Sequence, residues 1–401
     1  MTTQQQRNRV RAYHVLLAAC IVCSFSAVNL SAQDTVGSIQ PYVSQTPHTY
    51  PTGNNSRPVV WSETAVASGA KFVMVHFGQF SLAAGDYVTV STPDQNDVLT
   101  YTGSGPNNNG SFWSAPIQGD TAVIKLHAGP AVDYGYQIDK VANGTIDLGL
   151  QGTEQLGDEQ PPSICGSIGW EDVACHLPNN LFQQGEDPVA ILLFPNETAN
   201  TVGQCTGWLI DSPMNTRTNN VLITNNHCVH GPGSVGDTFA FFHFQKIVCN
   251  GRFRLPVVRT RGVALLKTDR TLDYTLMTVA GNPRAQFGVI TPTTKGFKVS
   301  DLMWIVQHPN GFTKKVGWFE DQAHTVRCTI QGIGGNGEAQ YTCDTFGGSS
   351  GSPVEDPATA HALALHNLGA GGDCPPNLNS GNSFVNICAD AGAGLLNCAK
   401  N

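Results

Sequence analysis

Between residues 59 and 140 apolar and polar positions change places in short runs, at 59–67, 71–77, 87–91, 98–101, 121–127 and 134–140. Several of these runs alternate with a period of two, which sets one side of a strand on a core and the other in water. Turn clusters such as Ala84-Gly85-Asp86 and 105–110 separate them, so a β-sandwich is predicted. A second series of strands is expected at 190–194, 205–210, 220–224, 239–244, 274–279, 302–307, 315–319, 362–366 and 383–388. Gly, Pro and Asn punctuate that series at intervals suited to barrels, and two six-stranded barrels fit its length. Residues 151–162, polar, acidic and ending in Pro161-Pro162, read as a linker. The predicted organisation is therefore all-β, with a sandwich over 33–150 and a double barrel over 163–401. No internal repeat is found.

Composition agrees with this pattern. Only 13% of residues are charged, while glycine and proline number 43 and 23, a balance that suits turn-rich strands better than helices. The net charge of −8 supplies no basic footprint for nucleic acid. Arg7, Arg9 and Arg11 precede a short apolar run at 15–28, and Ser31-Ala32 offers a cleavage point, so residues 1–32 read as an export signal. Leu17-Ala18-Ala19-Cys20 leaves lipid anchoring at Cys20 as an alternative, although the apolar run continues beyond it. No later segment has the roughly 18 apolar residues of a membrane span, so a secreted, soluble protein is expected.

Cys20 and Cys23 lie in the signal, and the ten remaining cysteines all fall from Cys165 onward. An even number in an exported chain argues for disulfides, and neither a Cys-x-x-Cys pair nor a zinc-like His/Cys spacing occurs after the signal. No metal or other cofactor is implied. Asn54, Asn109, Asn143 and Asn196 stand in glycosylation sequons.

The chemistry lies in three separated segments. Gly347-Gly348-Ser349-Ser350-Gly351-Ser352-Pro353 has the glycines that let a backbone turn sharply around a nucleophile. Ser350 is the candidate nucleophile, and the N–H groups of Gly348 and Ser350 the candidate oxyanion donors. His227, at the end of an apolar run and just before Cys228, is the candidate base; His230 is the local alternative. Asp273, at the start of another apolar run, is the candidate acid that fixes the imidazole tautomer.

These segments, Ile223-Thr224-Asn225-Asn226-His227-Cys228, Leu272-Asp273-Tyr274-Thr275-Leu276 and Gly348-Ser349-Ser350-Gly351-Ser352-Pro353, resemble the signatures of chymotrypsin-fold serine proteases. The similarity is greatest to the bacterial branch of lysyl and glutamyl endopeptidases and covers roughly 163–390. It implies a secreted, monomeric endopeptidase acting on polypeptides. Cys205–Cys228, Cys165–Cys374 and Cys175–Cys249 are the disulfides it implies, leaving Cys328–Cys343 and Cys388–Cys398. The leading domain resembles a CUB-like sandwich, and 112–120 resembles part of the pro-regions of lysyl endopeptidases. A pro-domain and a spacer both remain open.

Specificity has two candidates. Asp344, six residues before Ser350, stands where trypsin-like enzymes hold a pocket carboxylate, which implies cleavage after Lys or Arg. His366 resembles the histidine that binds the substrate carboxylate in glutamyl endopeptidases, and in the lysyl branch a histidine here supports the triad. The downstream aspartate of lysyl endopeptidases has no counterpart around 379–384, with only Asp373 near. An acid-specific peptidase and an inactive binding relative are the alternatives. No Lys or Arg occurs from Val141 to Thr216, so an enzyme cutting after basic residues would not release itself there. Ser349 stands where many animal relatives carry an aspartate that pairs with a new N-terminus.

Overall fold

The computed structural model describes residues 34–148, 165, 168–370, 374 and 376–400; the signal, its Cys20 and the linker fall outside them. Helix is confined to short pieces, and the rest is strands and turns. No helix of the described residues is long and apolar enough to cross a membrane.

Strands Val189–Asn196, Phe239–Phe242, Val258–Asp269, Tyr274–Ala280, Asn219–Thr224 and Thr201–Leu209 pair in that order, and the last returns to the first. This closes a six-stranded barrel. Ala190, Leu192, Leu209, Leu222, Met277 and Val279 belong to its core. The second barrel differs from the expected closed form. Its eight strands run in one open ladder from Trp170–Asp172 to Ile330–Ile333, and the bridge Leu302–Thr329 links strand Ile330–Ile333 back toward Trp304–Gln307. Residues 383–388 also depart from expectation. Asn379–Ser383 is the strand, and Phe384–Ala391 is a helix. The Ser383 side chain accepts from the Val385 N–H, so a capping residue ends the strand and starts the helix.

The leading region is two sheets around a core. Val59–Val66, Thr121–His127, Tyr87–Ser91 and Val98–Thr102 form one sheet, facing Gly135–Gly144 and Phe72–Ser81 of the other. Thr121–His127 alternates buried and half-buried positions, as its sequence requires. The first six residues of Phe72–Ser81 are buried on both faces because two cores flank them. Val73, Val75 and Phe77 enter the sandwich, whereas Phe72 and Met74 pack with Ile191, Leu193 and Phe241 of the first barrel.

A strand that the pattern does not announce joins the two regions. Asp34–Gln45 pairs with Gly135–Gly144 on one edge and with Thr201–Leu209 of the barrel on the other. One sheet thus runs from the sandwich into the barrel, and the described residues form one compact unit.

Candidate active site

His227 follows the strand Asn219–Thr224 and is anchored before its ring is considered. Asn225 Nδ2 donates to the Asp273 carbonyl at 2.7 Å, and Asn226 Nδ2 to Thr268 Oγ1 at 2.7 Å. The Cys205–Cys228 disulfide ties the next residue to the neighbouring strand. Asp273 sits just ahead of Tyr274–Ala280 with φ of 47°, a left-handed conformation that aspartate tolerates better than most residues. Its carboxylate holds His227 twice: Oδ1 accepts the backbone N–H at 2.9 Å, and Oδ2 lies 2.7 Å from Nδ1. That pairing puts the proton on Nδ1 and leaves the Nε2 lone pair for chemistry. Nε2 is buried without a protein hydrogen-bond partner. His230 is exposed, and both Asp273 oxygens go to its neighbour instead.

The nucleophile loop is pinned from behind. Thr206 N–H donates to the Ser350 carbonyl at 2.9 Å, Thr206 Oγ1 to the Gly348 carbonyl at 2.9 Å, and Asn310 N–H to the Gly347 carbonyl at 2.7 Å. Ser352 N–H holds the Ser349 carbonyl at 3.0 Å. In a trans peptide the N–H points opposite its carbonyl, so the amides of Gly348 and Ser350 are aimed away from these bonds. Glycine is required at 348: φ is 91°, and a Cβ there would meet Gln204 Oε1 at 1.8 Å. Ser350 is fully buried, and its loop is stitched to His366, which donates its N–H to the Ser352 carbonyl and accepts from Gly351 N–H, both at 2.9 Å.

The two specificity candidates behave differently from a charged pocket. Asp344 is buried, and both oxygens accept backbone donors, Cys165 N–H at 2.7 Å and Gly169 N–H at 2.6 Å. Burial pushes its pKa up to about 7. The structure therefore gives this carboxylate to the segment leading into the second barrel, which departs from the expected substrate-facing charge. His366 is buried with Nδ1 2.6 Å from Tyr341 Oη; burial, then the proximity of His227, lowers its pKa to about 3 and keeps it neutral. Asp373 lies outside the described residues.

Five disulfides join Cys165–Cys374, Cys175–Cys249, Cys205–Cys228, Cys328–Cys343 and Cys388–Cys398. This density fits an oxidising, extracellular setting. Cys205, His227 and Cys228 approach within 4.8 Å, but their sulfurs are bonded to each other, so they make no thiolate metal site.

Residues that the sequence pattern did not single out complete the geometry. Gln204 and Thr206, beside Cys205, hold the nucleophile loop, and Gln204 Nε2 also donates to the His308 carbonyl at 2.8 Å. Asp34, opposite Gln204 in the joining strand, reaches the same loop; a Cβ on Gly347 would lie 3.3 Å from Asp34 Cβ. Adjacency to a predicted disulfide cysteine was the one sequence signal for Gln204 and Thr206.

A closed barrel, a second barrel sheet and a histidine–aspartate pair beside a glycine-bounded serine loop together define the chymotrypsin-like serine protease fold. Residues 169–382, more than half of the chain, match the family described as lysyl endopeptidase, C-terminal domain, and the chain belongs to that family. It is similar to secreted RxLR effector protein 73 of Plasmopara viticola, 27% identical over 336 residues, covering 79% of each protein. Among solved structures, a Glu endopeptidase in complex with MPD is 17% identical, with a TM-score of 0.39 over 57% of this chain and 96% of its own. The active form of a protease from M. tuberculosis is 15% identical, with a TM-score of 0.40 over 62% of this chain and 97% of that one.

Proposed function

We propose that the protein is an exported serine endopeptidase that cleaves polypeptides through an acyl-enzyme on Ser350. His227 Nε2 takes the Ser350 proton as the hydroxyl attacks the carbonyl carbon. Asp273 holds the imidazole in the required tautomer and stabilises the imidazolium without taking the proton. His227 then returns the proton to the leaving amine, and a water repeats the attack to free the acid product. The Gly348 and Ser350 amides stabilise the oxyanion of both steps, where one donor is worth about 2.7–4 kcal/mol. No cofactor is needed for this chemistry.

The observation that carries this reading is the double grip of Asp273 on His227, backbone N–H and Nδ1 together, beside a serine loop of the required form. A catalytically silent binding relative would not need that grip. Selection of Lys or Arg by Asp344 is not favoured, since the carboxylate is fully buried and its oxygens face the amides of Cys165 and Gly169. Selection of Glu by a charged His366 is not favoured either, because that ring is neutral near pH 7.

The test is covalent labelling with a fluorophosphonate, followed by cleavage-site profiling on a denatured protein mixture. Labelling confined to Ser350, lost in Ser350→Ala, is expected. An unlabelled but folded protein would overturn the proposal. Profiling also decides specificity: cuts after Lys or Arg that vanish in a folded Asp344→Asn variant would restore Asp344 to the pocket.

A further inference from the structure

A cleft of about 420 Å³ opens beside His227, and the sandwich builds one of its walls. His76, Asn109, Ser111 and Trp113 line it from the sandwich, and Glu197 and His227 from the barrel. This wall is fixed to the barrel. Trp113 N–H donates to Asp237 Oδ1 at 3.1 Å, Arg261 Nη1 donates to the Trp113 carbonyl at 3.2 Å, and Trp113 Nε1 donates to Glu197 Oε1 at 3.0 Å. The shared sheet and the core around Phe72 and Met74 hold the same two pieces together. Shedding the sandwich would strip the barrel of an edge strand and expose that core.

The cleft is lined by His227 and Cys228 and not by Ser350, so it flanks the base rather than the serine. The histidine returns its proton to the departing amine, so the residues after the cut bond leave past the histidine. Two carboxylates line this cleft, Asp237 and Glu197, and a third, Asp139, stands behind its lining residue His76. Asp237 is taken by Arg261 at 2.9 Å and Asp139 by His76 Nδ1 at 2.5 Å. Glu197 accepts from Trp113 Nε1, pairs with Lys140 at 2.8 Å and lies 3.8 Å from His76 Nε2, but its side chain is 48% exposed at the cleft and its carboxylate has acceptor sites beyond these contacts.

We infer that the sandwich is a lasting part of the substrate-binding machinery, its Asn109–Trp113 wall and Glu197 receiving the residues that follow the cut, with preference for Lys or Arg there. This rests on the serine endopeptidase reading and extends it to the leaving-group side.

The test uses the full chain and three substrates with one acyl side, taken from the profiling. Two are internally quenched peptides with Lys or Ala in the first two positions after the cut; the third ends in aminomethylcoumarin. In the unaltered protein kcat/KM for the Lys peptide exceeds that for the Ala peptide by about tenfold, the scale of one charge-assisted hydrogen bond. Glu197→Gln brings this ratio near one, and Glu197→Asp keeps part of it. Asn109→Trp, at an exposed turn, lowers kcat/KM for both peptides relative to the coumarin amide by about tenfold, a change that mere loss of stability would not produce. Ratios equal in the variants and the unaltered protein, with Ser350 still labelled, would overturn this inference alone. Absence of Ser350 labelling would take the endopeptidase reading down with it.

Discussion

The two barrels meet the sandwich on different terms. The first shares a sheet with it, packs Ile191 and Phe241 against Phe72 and Met74, and sends Arg254, Arg259 and Arg261 to sandwich partners. The second meets it at loop tips: a Cβ on Gly311 would touch Ile146 and Val36, and one on Gly347 would touch Asp34. The half carrying His227 and Asp273 is thus welded to the leading region, whereas the half carrying Ser350 is touched at its nucleophile loop. A region that looks separable from its lack of cysteines shares a sheet and a core with the first barrel.

The largest test of this contrast is chemical. Asp273→Asn should lower kcat by about 10⁴-fold with folding intact, because the histidine tautomer is lost. A decrease under tenfold in steady-state kinetics would remove Asp273 from the site. Next comes Arg261→Leu, which leaves the half-buried Asp237 beside the Trp113 amide without its cation. It should cost about 2–3 kcal/mol in urea unfolding, the scale of hydrogen bonds to a charged group, against about 1 kcal/mol for Arg259→Leu, whose Asp97 partner is more exposed. Equal costs would mean that the weld does not depend on the less exposed pair. Met74→Ala removes a fully buried side chain from the shared core and should cost about 2–5 kcal/mol. Unfolding of the sandwich ahead of the barrels, seen as two urea transitions in the unaltered protein, would break the comparison outright.

The smallest effect is on pH dependence. Asp344 has its folded pKa raised from 3.8 to about 7, so the folded state holds its proton more tightly than the unfolded chain. Its contribution is fully present below pH 3.8 and is lost as pH rises through about 7. Asp344→Asn cannot ionise. The melting temperature of that variant should therefore gain on the unaltered protein between pH 5 and 8, and a constant difference would contradict the buried, proton-holding Asp344.

Much of the candidate site was legible in the chain because its signals are local. His227-Cys228, Asp273 before an apolar strand and the glycines around Ser350 each carry their geometry within a few residues. Where partners are distant in sequence, the pattern is silent. Asp34–Gln45 contains Gly37 and Pro41, which break its alternation, and it becomes a strand because Thr201–Leu209 and Gly135–Gly144 offer it two edges. The Asp344 oxygens are claimed by amides of Cys165 and Gly169, a pairing that its neighbours in sequence do not announce. Residues 383–388 carry an apolar run short enough for either strand or helix, and the Ser383 cap decides.

The joining strand also bears on the order of assembly. Asp34–Gln45 leaves the ribosome well before Thr201–Leu209, so the seam between them waits on late synthesis. Until then one border of the early strand keeps unsatisfied amides and carbonyls, a place where a second copy of the nascent chain could bind by mistake. Arrival of the barrel strand closes that border and, in the same event, brings the scaffold of the serine loop to its support.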